Sequence, residues 1–304
     1  MYDIIIIGAG PAGLTAAIYA GRAAKKVLVL EAKVYGGQIV NTLDIENYPA
    51  EEHISGYDFA TKLYNQAKNL GAEIVFEKAI SIEINGKQKK VITTDNVYEA
   101  DSVIIATGSK NRKLGLSNEE QLTGRGVSYC ATCDGAFYKN KKVAVVGGGN
   151  TALEDALYLV DIAEKVYLIH RRGEFRGEDS TVNRLRDKKN IQFVLNSNVT
   201  KLNARDKLES IEVTNTSGET QTIKVDGLFV AIGRIPENKV FANLIELDDD
   251  GYIEANEKCH TNVDGIFVAG DNRTKDVRQL VTAVSDGAIA AIEAVKYTLG
   301  GVFR

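Results

Sequence analysis

Cys130 and Cys133 form a C-x-x-C within Tyr129–Asp134 (YCATCD), a spacing open to three uses: redox cycling, metal binding or an inert buried pair. A structural zinc needs four ligands. Beyond this pair the chain has only Cys259 and three scattered histidines, with no second paired motif, so no metal is expected. Redox cycling is favoured because a C-x-x-C can lower a thiol's pKa, and the thiolate is the attacking species in disulfide exchange. Asp134 follows directly and is placed to pass a proton to a leaving thiolate, with a helix cap or turn residue as its other reading.

The motif lies 13 residues before a glycine turn, and that turn belongs to an internal repeat. Residues 4–32 (IIIIGAGPAGLTAAIYAGRAAKKVLVLEA) lie over 143–171 (VAVVGGGNTALEDALYLVDIAEKVYLIHR) without a gap. Each copy is an apolar β-branched run, a glycine turn, an amphipathic helix and a second apolar run, which is a βαβ unit of a parallel sheet. Gly8, Gly10 and Gly13 fall on Gly147, Gly149 and Ala152. In such a turn one glycine permits the bend, the next admits a pyrophosphate to the backbone, and a small third residue lets helix pack on strand. A lone copy is an ordinary tight turn as readily as a nucleotide site; two in register imply two dinucleotides.

The end of the second strand separates the two cofactors. Glu31 in the first copy suits a ribose hydroxyl. The second copy has His170 there, followed by Arg171, Arg172 and Arg176. Guanidinium groups bind a 2′-phosphate through forked, charge-assisted hydrogen bonds, so the second dinucleotide is expected to be NADPH; a solvated basic loop is the plainer reading. Further buried strands are expected at Ala100–Ser109, Val225–Gly233 and Gly265–Asp271, and an alanine-rich helix at Arg278–Leu299.

Composition excludes other classes. At 304 residues the chain is long enough for two cores, and 44% hydrophobic with 26% charged residues is ordinary for a globular protein. A net charge of −4 gives no footprint for nucleic acid, and no apolar run approaches a membrane span. The apolar run Ile4–Ile7 has no basic region before it and ends at Gly8, so it reads as a first strand rather than a signal peptide, and a cytoplasmic protein is expected.

The motifs GAGPAG, GGQ, ATG, CATCDG, GGGNTA, HRRxxFR and GD…RQ occur in the order found in bacterial-type, low-molecular-weight thioredoxin reductases, and the chain resembles that family over essentially its whole length. The resemblance implies FAD binding by Gly8, Gly10, Pro11, Ala12, Gly13, Glu31 and Ala32. Gly36, Gly37, Gln38, Asn47, Thr107, Gly108, Asp271, Arg278, Gln279 and Leu280 would complete the flavin site. It implies NADPH binding by Gly147, Gly149, Asn150, Thr151, Ala152, His170, Arg171, Arg172 and Arg176. In the same way Cys133 would face the flavin, Cys130 would attack the partner's disulfide, and Asp134 would be the acid–base. Gly173 and Asn272 depart from the family pattern, and Cys259 matches no motif and is expected to be structural.

The expected architecture is α/β: two Rossmann-like dinucleotide-binding domains, the second inserted into the first. The FAD domain would comprise 1–112 and 244–304, the NADPH domain with the C-x-x-C 113–243, and hinges would lie near Lys113 and Asn243. The expected activity is reduction of thioredoxin by NADPH, in a homodimer, with rotation between domains. A reductase of a glutaredoxin-like or peroxiredoxin-system partner is the alternative, and a non-catalytic redox-sensing flavoprotein is the alternative of another class.

Overall fold

A computed structural model describes residues 1–42 and 44–301, divided into two compact units: 1–110 with 235–304, and 111–234. The first unit opens with β1 (Tyr2–Ile7), α1 (Pro11–Arg22), β2 (Val27–Leu30), α2 (Gly56–Asn69) and β3 (Glu73–Val75). A meander of β4 (Ala79–Asn85), β5 (Gln88–Thr93) and β6 (Val97–Ile105) follows, and the chain leaves on β7 (Ser109–Asn111). The second unit begins with α3 (Glu119–Leu122), β8 (Val127–Ser128) and α4 (Ala131–Asp134), then β9 (Lys142–Val146), α5 (Asn150–Val160) and β10 (Lys165–Ile169). It continues through α6 (Asp179–Arg186) and β11 (Ile191–Val194), a meander of β12 (Ser197–Ala204), β13 (Leu208–Asn215) and β14 (Thr220–Lys224), and β15 (Gly227–Val230). The chain returns on β16 (Arg234–Pro236), paired with β7, and completes the first unit with β17 (Ile266–Val268) and α7 (Leu280–Thr298).

Each unit is built on a parallel sheet. The orders are β3-β2-β1-β6, with β17 on the C-terminal half of β6, and β11-β10-β9-β15-β8. The antiparallel strand β5 occupies the N-terminal half of β6. The repeat holds to the register: Ile4 pairs with Val27 in one sheet, and Val143 with Val166, 139 positions later, in the other.

The strands read as unbroken apolar runs because both sheet faces are buried. On β1, Ile4 and Ile6 pack with α1 and α7, while Ile5 and Ile7 pack with the meander residues Ile82 and Val91. On β9, Val143 and Val145 face Ala152 and Leu159 of α5, while Ala144 and Val146 face the meander residues Val199 and Ile211.

The return crossing lies at 234/235 rather than at the expected 243/244. Residues 235–243 belong to the first unit for a physical reason. The Asn238 side-chain amide donates to the carbonyls of Gly251 (3.0 Å) and Asn272 (2.7 Å), and the Phe241 ring is buried with Ile245 and Ile253.

Candidate active site

In the second unit, Cys130 and Cys133 are joined by a disulfide, with Cα atoms 5.3 Å apart. Cys130 precedes α4 in extended conformation, and Cys133 lies within that single turn. Both sulfurs belong to half-buried residues at the C-terminal edge of the sheet, where β8 ends at Ser128 and β9 at Val146. In open parallel sheets this is the edge where ligands bind.

The buried Ser128 hydroxyl organises the segment. It donates to the Asp134 carboxylate (2.6 Å), and its oxygen accepts the Cys130 amide (3.1 Å). Burial raises the Asp134 carboxyl above the ordinary carboxylate range, and the Ser128 hydrogen bond opposes it without cancelling it. An acid so shifted holds its proton closer to neutral pH, as proton donation to a thiolate requires. Next to it, Tyr138 packs edge-on against Phe229, and its hydroxyl is pushed up to about 12, by burial first and then by Asp134 and Asp226.

The second glycine turn shares this edge. Gly147 has φ +157°, and a Cβ there would overlap the Ala231 carbonyl oxygen. Gly149 differs: φ is −96°, and a Cβ would meet no atom within 4 Å. No side chain caps α5, so its first amides stay open to an anion. The loop after β10 is stitched over this turn. The Gly148 carbonyl accepts the amides of Arg176 (2.6 Å) and Gly177 (3.2 Å), and the Asn150 side chain accepts that of Glu178 (2.8 Å). Arg171, Arg172 and Arg176 are exposed around it, and among the described residues none has an ion pair. His170 behaves otherwise than the sequence suggests. Its ring is 5% exposed, lies under Gly148 and stacks on Phe175, so it supports the turn from beneath. Burial, with the nearby arginines, lowers its pKa and keeps it neutral.

In the first unit the same turn recurs. Gly8 has φ +110°, and a Cβ would overlap the Ala106 carbonyl oxygen. Gly10 begins α1 with no side-chain cap and with Pro11 at the first helical position. The Glu31 carboxylate accepts the amides of Ala9 (2.8 Å) and Lys33 (2.9 Å), beside the exposed Ala32. Gly36 donates to the Ala9 carbonyl (2.7 Å), which brings Gly37 and Gln38 to the turn. Asn47 donates to the Gln279 side chain at 3.5 Å. Arg278 stacks on Tyr252 at 4.0 Å and donates to the Asp271 carbonyl (3.4 Å). Gly270, next to Asp271, lies against Ala12 of α1. Leu280, partly buried, packs its side chain onto Ile45, Ile54 and Phe59. Thr107 is tied to Asn238 and Asn272, with Gly108 at φ +67° following. Two uncapped helix starts, each behind a glycine with ordinary φ and open space, fit two dinucleotide diphosphates.

Ser128, Glu119 and Tyr252 carry no motif and were not legible beforehand. Glu119 is 1% exposed and accepts the Tyr129 hydroxyl (2.8 Å) and the amides of Leu114 (2.9 Å) and Gly115 (2.8 Å). It thereby fixes the residue before Cys130. The half-buried Asp44 and the exposed Glu46 and His53 bring their ligand atoms within 4.8 Å of one another, far in sequence from the cysteines. No described helix is long and apolar enough to cross a membrane.

The chain matches the pyridine nucleotide-disulphide oxidoreductase family over residues 2–287. It is 44% identical to the thioredoxin reductases of Listeria monocytogenes and Bacillus subtilis over 300 residues, 98% of this chain and 94% and 95% of theirs. Among solved structures, the thioredoxin reductase of Streptococcus pyogenes matches at TM-score 0.95 and 41% identity, covering 99% of both chains. That of Lactococcus lactis, described in an FR conformation, matches at 0.68 with the same identity, covering 99% of this chain and 100% of its own.

Proposed function

The chain belongs to the pyridine nucleotide-disulphide oxidoreductases, and we propose from this that it reduces thioredoxin with electrons from NADPH. The observation that carries the reading is the Cys130–Cys133 disulfide, set with the protonatable Asp134 at the same sheet edge as a glycine turn ringed by three arginines. The 1–110 and 235–304 unit is the FAD domain, and 111–234 is the NADPH domain.

Arg171, Arg172 and Arg176 hold the 2′-phosphate, and the open amides of α5 hold the diphosphate. FAD, held at the first glycine turn by the open amides of α1 with Glu31 at the rim, would supply the two-electron carrier between NADPH and the disulfide. Cys133 receives the electrons, Cys130 leaves as the free thiol, and Asp134 supplies the proton. Cys130 then attacks the disulfide of thioredoxin, and Cys133 releases the mixed disulfide by closing onto Cys130. Asp134 regains its proton from solvent, so NADPH, one proton and oxidised thioredoxin give NADP⁺ and dithiol thioredoxin.

One flavin has to meet both NADPH and the disulfide, and the second unit carries both. The reading therefore includes rotation of that unit on β7 and β16, next to Gly108 and Gly233, whose φ values are +67° and +103°. The two solved relatives, equal in identity to this chain and unequal in whole-chain match, support such mobility within the family. A cytoplasmic homodimer completes the proposal.

The test is anaerobic titration of the purified yellow protein with NADPH and separately with NADH, followed at the flavin absorbance, and then addition of thioredoxin. Bleaching by NADPH, weak bleaching by NADH and recovery on adding oxidised thioredoxin are expected. Bleaching without recovery would move the substrate to another dithiol protein. No bleaching by NADPH would remove the donor assignment.

A further inference from the structure

The loop from Gly270 to Gln279 joins β17 to α7 and carries Asp271, Arg278 and Gln279, three residues of the proposed flavin site. A loop that must hold a ligand in one geometry needs an anchor, and no sequence motif names one. The structure shows it on the second turn of α7. Asp286 is 4% exposed, and its two carboxylate oxygens accept four hydrogen bonds from this loop. They come from the Gly270 amide (3.0 Å), Arg273 Nε (2.9 Å), Arg273 Nη2 (2.9 Å) and Lys275 Nζ (2.8 Å).

The Arg273 fork is bidentate, the geometry that fixes orientation as well as distance. Burial alone would raise the Asp286 carboxyl; the bonds from Arg273 and Lys275 outweigh it and leave the carboxyl below its ordinary range. The loop is held from its other side by Arg278, which donates to the carbonyls of Asp271 (3.4 Å) and Arg273 (3.3 Å). The anchor also reaches the glycine turn. Gly270, bonded to Asp286, has φ +92°, and a Cβ there would press on Ala12 of α1. Buried ion clusters contribute little net stability compared with apolar packing, so their presence calls for a reason in geometry.

We propose that Asp286, with Arg273 and Lys275, is the positioning cluster that sets Asp271 and Arg278 against the first glycine turn, and so fixes the flavin-binding form of this loop. The inference rests on the reading of the first unit as the FAD domain. Asp286 does not itself touch the flavin; it acts through Gly270, Arg273 and Lys275.

The test measures FAD binding rather than turnover. Apoprotein of the wild type, Asp286→Asn, Arg273→Lys and Lys275→Met is titrated with FAD below any melting transition, with flavin fluorescence and visible circular dichroism recorded and apoprotein melting followed separately. Asp286→Asn is expected to raise the FAD dissociation constant at least roughly tenfold and to alter the flavin dichroism, because it leaves two buried cations without their anion. Lys275→Met, which keeps the bidentate pair, is expected to raise it only about two- to fivefold, with Arg273→Lys in between. Lower melting with unchanged FAD affinity and unchanged dichroism would overturn the proposal and leave the cluster a structural one. Should Asp286→Asn fail to fold, the other two variants decide, and wild-type affinity in both would overturn it. Failure of the wild type to bind FAD would overturn the FAD-domain reading itself, and the proposal with it.

Discussion

In the first βαβ copy the Glu31 carboxylate accepts the Ala9 amide; in the second, the equivalent residues are His170 and Gly148, and the imidazole fills the space that the Ala9 methyl would require. Around this exchange the two copies agree closely. Gly8 and Gly147 donate to the last residue of their second strands, Leu30 and Ile169, at 2.7 and 3.1 Å. Ala106 and Ala231 donate to the last residue of their first strands, Ile7 and Val146, both at 2.8 Å. The backbone of the turn serves a feature common to all dinucleotides, the diphosphate. The residue at the strand end serves the part in which dinucleotides differ. One copy ends in an anionic rim and the other in a cationic loop stitched to Gly148, so the second can accept a phosphate that the first would repel.

The largest effect should come from the cationic rim. Replacing Arg171 and Arg172 by alanine removes up to two charge-assisted contacts at roughly 1.5–3 kcal/mol each, so the KM for NADPH should rise about a hundredfold or more. The KM for NADH should hardly change. Steady-state kinetics with both donors check this, and an equal loss for the two would mean that the rim does not read the 2′-phosphate.

The turns and the rim were legible in the sequence because their chemistry follows the chain. A glycine turn is local, and an arginine two residues beyond a strand stays near that strand's end. The repeat made the fold legible for the same reason, and the sheets keep its register. Side chains that act across long separations were not legible. Asp286 reaches Gly270 because a helix folds back over the loop before it, and Glu119 reaches Tyr129 because a one-turn helix packs under β8. The return crossing at 234/235 was hidden for a similar reason: Asn238 and Phe241 are bound into the first unit by residues on both sides of them in sequence, Thr107 and Asn272 among them. His170 was assigned by position alone, and burial of a neutral ring is decided by packing that position does not reveal.

A smaller effect separates the needs of the fold from those of the ligand. Gly8 and Gly147 are required by the backbone, since φ is positive and a Cβ would overlap a carbonyl. Gly10 and Gly149 are not: φ is −76° and −96°, the nearest atom to a Cβ on Gly10 is 4.0 Å away, and a Cβ on Gly149 meets none within 4 Å. Gly149→Ala should therefore change stability by less than about 1 kcal/mol, while its methyl occupies diphosphate space and raises the KM for NADPH roughly tenfold. Gly10→Ala should do the same for FAD affinity. Denaturant melts alongside nucleotide titrations check both. A large loss of stability with intact binding would make these glycines structural and break the parallel between the two turns.

The smallest effect tests the exchanged pair itself. Gly148→Ala drives a methyl into the His170 ring, which is enclosed by Phe175 and has little room to move, and should cost about 1–3 kcal/mol. Substituting His170→Glu on that background recreates the Ala9–Glu31 pair of the first copy and removes the ring that clashes. The double variant should therefore be more stable than the two single costs predict, with a coupling of about 1 kcal/mol from the double-mutant cycle. It should also lose NADPH preference beyond the loss in Gly148→Ala alone, because a carboxylate then faces the 2′-phosphate. Additive costs in denaturant melts would show that Gly148 and His170 do not act as a pair, and the two copies would then differ only in the arginines that follow.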